Sequence, residues 1–326
     1  MFKSVGILSL SLLCAAAWWL GSSSAEAAEA PAKIQATDTT LEAYLGSDLF
    51  FTYNYRDTVK PFLYPIYGPD NLLMVRNYPM KKVENEETDH PHQKSLWFTH
   101  GDVNGIDYWA ESGKNGRILH QNFIGLQSGD KGVIESLNYW VKPDGRTVQL
   151  KDRRKYEFFG EGEKRYLDIT IALTAIGEDA KLGDTKEGTF GIRIAESMRL
   201  KGGLNKGHIV NSEGLKEGEA WGKRAAWVDY YGPVREQIVG IAILDHPENL
   251  RFPTWWHVRD YGLFAANPFG IHDFEPKTAT GERTPAGAGD YLLKKEETLT
   301  FKYRVIFHKG NETEAGIAEE FRKFTE

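Results

Sequence analysis

Between Thr88 and Trp109 the chain reads TDHPHQKSLWFTHGDVNGIDYW. This stretch holds His90, His92 and His100, Asp89 and Asp102, Asn104, and the indoles of Trp97 and Trp109. An ordinary strand or helix needs none of that chemistry to fold. Titratable, amide and aromatic groups at this density, broken by Gly101 and Gly105, suit the wall of a binding site. Histidine changes charge near neutral pH, so the imidazoles could donate and accept protons. His90 and His92 would share one side of an extended chain, although Pro91 between them favours a loop entering a strand. Three uses stay open. The histidines could act as acid and base on a substrate, or fix local structure by hydrogen bonding. They could also hold a divalent metal on His90, His92 and His100, with Asp89 or Asp102 completing the set. The spacing matches no H-E-x-x-H motif and no thiolate site, so no cofactor is expected and the metal stays an alternative.

Asp102 and Asn104 sit in a tight GDVNG loop, where a carboxylate and an amide can grip vicinal hydroxyls. Asn-Gly is equally a plain turn signal. A second unusual stretch, PTWWHVRDYGLFAANPFGIHDF from Pro253 to Phe274, sets Trp255, Trp256, His257, Arg259 and Asp260 side by side. Adjacent tryptophans on a strand face opposite ways, so one can pack inside and the other line a cleft. The plain alternative is a half-buried strand ending in a surface ion pair. His257 and Arg259 are expected to meet the first stretch in space. Lys60 and Arg76 are candidate cationic contacts. Glu196, in IAESMR directly after an apolar run, is the candidate carboxylate for proton transfer beside the histidines; otherwise it is a strand-end charge.

The elements that must position these groups are strands. Arg165 to Ile176 alternates Leu167, Ile169, Ile171 and Leu173 with polar or small residues, the period-2 pattern of a strand buried on one face. Leu49 to Tyr55, Phe62 to Tyr67, Leu72 to Arg76, His120 to Leu126, Val133 to Val141, Thr147 to Phe159 and Phe190 to Ala195 read the same way. So do Trp227 to Tyr231, Gln237 to Leu244 and Leu299 to Phe307. Pro143-Asp144-Gly145-Arg146 is a hairpin turn. Pro31 to Thr40 reads as a polar lead, and Lys201 to Gly218 as a long loop. Only the end is helical, with Asn311 as cap, Glu314 three residues on, and Ile317, Phe321 and Phe324 on one face. Roughly twelve to fifteen short strands without βαβ alternation predict an all-β fold. The expected architecture is one large antiparallel β-sandwich, supersandwich-like, over residues 28–326 with a C-terminal helix.

Lys3, the apolar Val5 to Leu20 and Ala25-Glu26-Ala27 form a secretory signal peptide expected to end at residue 27. The protein is therefore expected to be exported, to the periplasm or beyond. Cys14, the single cysteine, leaves with the signal, so disulfides and cysteine nucleophiles are excluded from the mature chain. No other apolar run is long enough to span a membrane. A net charge of −6 without a basic run argues against nucleic acid as a partner. Aromatic residues make up 13% of the chain, with nine Trp and 15 Tyr, which suits flat amphipathic ligands such as sugars. The motifs G-x-S-x-G, the P-loop and G-x-G-x-x-G are missing.

The segments Lys60-Pro61-Phe62-Leu63-Tyr64-Pro65, Val75-Arg76-Asn77-Tyr78-Pro79 and Asp89-His90-Pro91-His92, followed by Leu96 through Gly105, resemble a family of exported bacterial proteins. That family is labelled "methane oxygenase PmoA" or a domain of unknown function. The resemblance covers most of the mature chain and implies a large β-sandwich. The label implies a membrane-embedded copper oxygenase subunit, which a mature chain without a span contradicts. A weaker likeness is to galactose mutarotase-like supersandwiches, which act on sugars with histidines and a glutamate. It implies histidine roles for His90, His92 or His100, with Glu196 as partner. The expected function is a saccharide-binding cleft in which histidines do acid/base chemistry of epimerase, lyase or hydrolase type on a small-molecule or oligosaccharide ligand. The alternatives are a non-catalytic carbohydrate-binding module of the cell envelope and a His/carboxylate metalloenzyme.

Overall fold

The computed structural model describes Met1, Phe2 and residues 31–326. The expected signal peptide and Cys14 lie outside the described residues. The chain forms two eight-stranded antiparallel sheets. The first runs, in spatial order, Ala32–Ala36, Thr40–Leu45, Asp48–Asn54, Phe62–Ile66, Leu96–His100, Gly188–Arg193, Leu263–Asn267 and Trp255–Val258. The second runs His208–Asn211, Trp227–Val234, Gln237–Asp245, Thr298–Lys309, Lys164–Ala175, Val148–Glu161, Gly132–Val141 and Arg117–Gln127. With 47% of residues in strands and 8% in helices, this is the expected all-β sandwich.

The alternation in Arg165 to Ile176 has the predicted consequence. Leu167, Ile169, Ile171 and Leu173 are all buried in one continuous core between the sheets. Phe50 from the first sheet meets Phe307 from the second edge-on at 5.6 Å, and Phe51 meets Phe158 at 5.2 Å. Burial of each such side chain is worth about 1.5–3 kcal/mol, and edge-to-face geometry adds to it.

Four expectations about elements are corrected. Ala32–Ala36 is a strand rather than a polar lead, because it pairs with Thr40–Leu45 across the Thr37–Thr40 turn. Leu72 to Arg76 forms no strand; its backbone makes only single bridges, Leu73 with Tyr67 and Val75 with Ile194. The Gly-rich loop from Lys201 contains the strand His208–Asn211. Asn311 and Glu314 do form a reciprocal capping box, with Asn311 Oδ1 accepting from the Glu314 N–H at 2.9 Å and Glu314 Oε2 accepting from the Asn311 N–H at 3.0 Å. It closes a turn, however, and the helix Ile317–Thr325 starts afterwards.

The first sheet carries a second apolar layer on the face turned away from the core. Phe62, Trp97, Trp109, Leu263 and Ala265 form it, with Tyr64, Met80 and Tyr261 packed against them. This outer face positions the site.

Candidate functional site

Residues directly opposite one another on neighbouring strands share a face. His257 pairs with Ala265, Ala265 with Gly191, Gly191 with Trp97, and Trp97 with Phe62. One row therefore crosses the outer face from an imidazole to an indole, with two small residues between. A Cβ on Gly191 would lie 3.1 Å from the Trp97 ring, so glycine lets that indole lie flat on the sheet. Trp109 closes on Trp97 at 5.2 Å, and His92 on Trp109 at 6.4 Å.

The next positions carry charge. Arg193 follows Gly191 on the same face of its strand. Its guanidinium donates to Asp89 Oδ1 at 2.9 Å and to Gln93 Oε1, and lies 4.7 Å from the Tyr261 ring centre. Arg76 donates to the same Asp89 oxygen and, at 3.1 Å, to the His90 carbonyl. Both arginines are fully buried. Burial opposes ionisation of Asp89, but Arg193, the His90 hydrogen bond and Arg76 outweigh it and hold its pKa at about 2.

His90 has a left-handed backbone, φ 44°, which a non-glycine residue adopts at a cost. The Arg76 contact on its carbonyl helps hold that conformation. The ring then lies flat on Tyr261, at 5.2 Å between centres and 4° between planes, with Nδ1 2.7 Å from Asp89 Oδ2. A carboxylate accepts, so Nδ1 carries a proton and Nε2 is the ring nitrogen left to face a ligand.

Glu187, at the end of the loop entering the strand Gly188–Arg193, is the carboxylate that belongs with this histidine. It is near enough to His90 and Tyr261 for their charges to act on one another. Burial pushes its carboxyl above the usual carboxylate range, against the pull of Lys186. Among the described residues, its carboxylate makes no hydrogen bond or ion pair. A carboxyl raised by burial and an imidazole within charge range of it can serve as acid and base.

Arg259 N–H pairs with the Leu263 carbonyl, and its guanidinium lies 5.6 Å from the ring centres of both Trp221 and Tyr261. His257 lies behind Trp221 at 6.4 Å and donates Nδ1–H to the Lys186 carbonyl at 2.9 Å. Burial brings its pKa to about 4, and burial with Lys60 does the same for His92, so both rings are neutral at pH 7. Lys60, buried behind Trp109, donates to the Trp109 carbonyl at 2.9 Å and to Glu111 at 2.8 Å. Its burial lowers its pKa to about 8, against Glu111. The indole N–H groups of Trp97, Trp109 and Trp221 and the Thr189 hydroxyl are buried without a partner. Orphaned donors on one face are an opening for a hydrogen-bonding ligand.

Thus His90, His92, His257, Arg76, Lys60, Trp97, Trp109 and Arg259 come together. The remaining candidates do not. His100 lies on the core face against Phe269, with Nε2–H donating to the Gly183 carbonyl at 2.9 Å. It cannot join His90 and His92 around a metal, and no metal-ligating group of three or more side chains forms among the described residues. Asp102 accepts the Gly105 N–H at 2.7 Å, and Asn104 bonds Asp179 and Lys181, so the GDVNG loop is a fastener to its neighbouring strand. Trp256 points into the core and donates to the Ala225 carbonyl. Trp255 is covered by Arg224 and bonds Glu275. Asp260 faces Lys201 across 3.9 Å. Glu196 pairs with Arg199 and lines a separate cavity of about 650 Å³ with Leu73, Val83 and Leu204.

Sequence reasoning missed Glu187, Arg193, Tyr261 and Trp221. The apolar run Phe190 to Ala195 has a glutamate at each end, and the reading chose Glu196. The arginine inside that run was the available signal for a polar outer face.

Among solved structures, the chain is similar to an α-galactosidase from Lactobacillus brevis (10% identity, 85% of this chain and 39% of that one, TM-score 0.41). It is also similar to a GH36 α-galactosidase from Geobacillus stearothermophilus (8% identity, 85% and 41%, TM-score 0.42). A galactose mutarotase related enzyme from Lactobacillus acidophilus matches at 8% identity over 85% of this chain and 97% of that one, with a TM-score of 0.33. The chain spans about two fifths of the length of the α-galactosidases. Likenesses this distant say nothing about activity. No curated protein matches. No helix among the described residues is long and apolar enough to cross a membrane. A family model described only as a family of unknown function, with no oxygenase in its description, matches residues 40–322, and the chain belongs to that family, DUF6807.

Proposed function

We propose that the outer face of the first sheet binds a saccharide and that Glu187 and His90 exchange protons with it. The observation that carries this reading is the pairing of opposite roles. The Asp89 carboxylate takes the His90 Nδ1–H, which leaves Nε2 to meet a ligand, while burial raises the Glu187 carboxyl above the usual carboxylate range. Sugar chemistry of epimerase, lyase or hydrolase type needs such a pair, one group to take a proton and one to give it. Trp221, half-buried, supplies flat apolar surface, and Trp97 and Trp109 lie buried with their indole N–H groups unpartnered. His92 and His257, both neutral, add acceptors. The exported setting is part of the proposal and rests on the signal-like Lys3 to Ala27.

The test is incubation of the purified protein with a broad saccharide panel, followed by product analysis. Conversion of one saccharide by the wild type, lost in Glu187→Gln with binding retained, supports the enzyme reading. Binding without conversion in the wild type supports a non-catalytic module at the same face. A panel with neither binding nor conversion removes both.

A further inference from the structure

The cations around the indoles are unevenly partnered. Arg76 and Arg193 share one carboxylate, Asp89. Lys60 and Lys94 share another, Glu111, with Nζ to oxygen distances of 2.8 and 2.6 Å. The guanidinium of Arg259 has no hydrogen bond or ion pair among the described residues. Asp107, which accepts the Trp109 backbone N–H at 2.6 Å, also acts on Lys60, and Asp273 acts on His257, so among the described residues Arg259 is the cation of this group without a carboxylate partner, on a chain whose net charge is −6. Burial raises the Glu187 carboxyl above the usual carboxylate range, and Lys186 pulls against it.

Arg259 is also held for use. Trp221 and Tyr261 each lie 5.6 Å from it, and Tyr261 is itself stacked on His90. A guanidinium packed on aromatic rings loses little rotamer freedom when its N–H edge binds, and that edge matches a planar oxyanion with two parallel hydrogen bonds. It stands between Trp221, which packs on His257, and Tyr261, which packs on His90.

We infer that the ligand is an acidic saccharide, a sugar bearing a carboxylate or sulfate group, and that Arg259 binds that anion. This rests on the saccharide reading above and names its substrate class. A neutral sugar would leave the Arg259 fork empty.

The decisive comparison uses the wild-type protein and calorimetric titration with three sets of oligosaccharides. These are a uronate oligosaccharide, the same oligosaccharide with its carboxylates methyl-esterified, and sulfated and unsulfated forms of a second backbone. A charge-assisted double hydrogen bond predicts that one acidic form binds roughly ten- to a hundredfold more tightly than its uncharged counterpart. Whichever acidic form does so identifies the anion. Arg259→Gln should remove most of that preference, while Arg259→Lys, which keeps the charge without the fork, should retain part of it. Equal binding of charged and uncharged forms, or binding of neutral saccharides alone, overturns the acidic-ligand inference and leaves the saccharide site standing. Unchanged acidic preference in Arg259→Gln overturns the role of Arg259. Absence of binding by every saccharide overturns both readings.

Discussion

The imidazole Nδ1 of His90 lies 2.7 Å from Oδ2 of Asp89, whose other oxygen accepts from the buried guanidinium groups of Arg76 and Arg193. One carboxylate thus ties the exposed histidine to the sheet beneath it. Removing that carboxylate leaves two buried cations without an anion. Asp89→Asn should therefore cost about 2–3 kcal/mol of stability, discounted for the partial exposure of Asp89. The sign with pH follows from the depressed pKa. The carboxylate contributes stability above its ordinary value near 3.8, and that contribution is lost as pH falls toward 2. Urea denaturation of wild type and variant across this range measures both effects.

Glu187 gives a kinetic signature. If it must be protonated to act, activity falls as pH rises through a pKa above the usual carboxylate range. Glu187→Gln should abolish conversion by about 10²-fold or more while sparing binding. A variant with unchanged rate and unchanged high-pH limb would show that the carboxyl is not the acid.

The Trp109 indole N–H is buried and unpartnered while its ring packs on Trp97. Trp109→Phe keeps most of the ring and removes an N–H that no protein group uses. Ligand affinity should fall by about 1 kcal/mol, the worth of one neutral hydrogen bond. Conformational stability should change by less than this bond plus the cavity cost would suggest, since no internal bond is broken. Calorimetric titration beside thermal unfolding separates the two.

Asp245, far from the site on the strand Gln237–Asp245, makes a separate pH prediction. Burial raises its carboxyl to about 7, although Asn249 and the Thr254 N–H donate to it. The folded state then holds a proton that the unfolded chain releases near 3.8. Its contribution to stability is present below pH 4 and is lost as pH rises through 7, with a slope of at most about 1.4 kcal/mol per pH unit. Asp245→Asn should remove this slope, whatever it does to absolute stability. The difference between wild-type and variant unfolding curves from pH 4 to 8 reads it directly.

The fold was legible because the core face of each long strand is written at period 2, as Leu167 to Leu173 shows. The short strand Ala32–Ala36 was not, because an edge strand buries little and its polar residues look like a loop. The site was half legible. His90, His92, Trp97, Trp109, His257 and Arg259 were found by residue type alone. His100 was misplaced because the sequence does not say which face of Leu96–His100 meets the core. Glu187 was passed over because it lies about a hundred residues from His90 in the chain, and the register of Gly188–Arg193 against Leu96–His100 sets it beside Gly101, at the other end of that strand pair from the residues entering Leu96.

The most direct test is calorimetric titration of Glu187→Gln, which should hold ligand without consuming it, with the saccharide panel, paired with Trp109→Phe in the same background. The account predicts saturable binding by at least one saccharide, weakened roughly fivefold when the Trp109 N–H is removed. Binding that is indifferent to Trp109, or no binding by any saccharide, would contradict it.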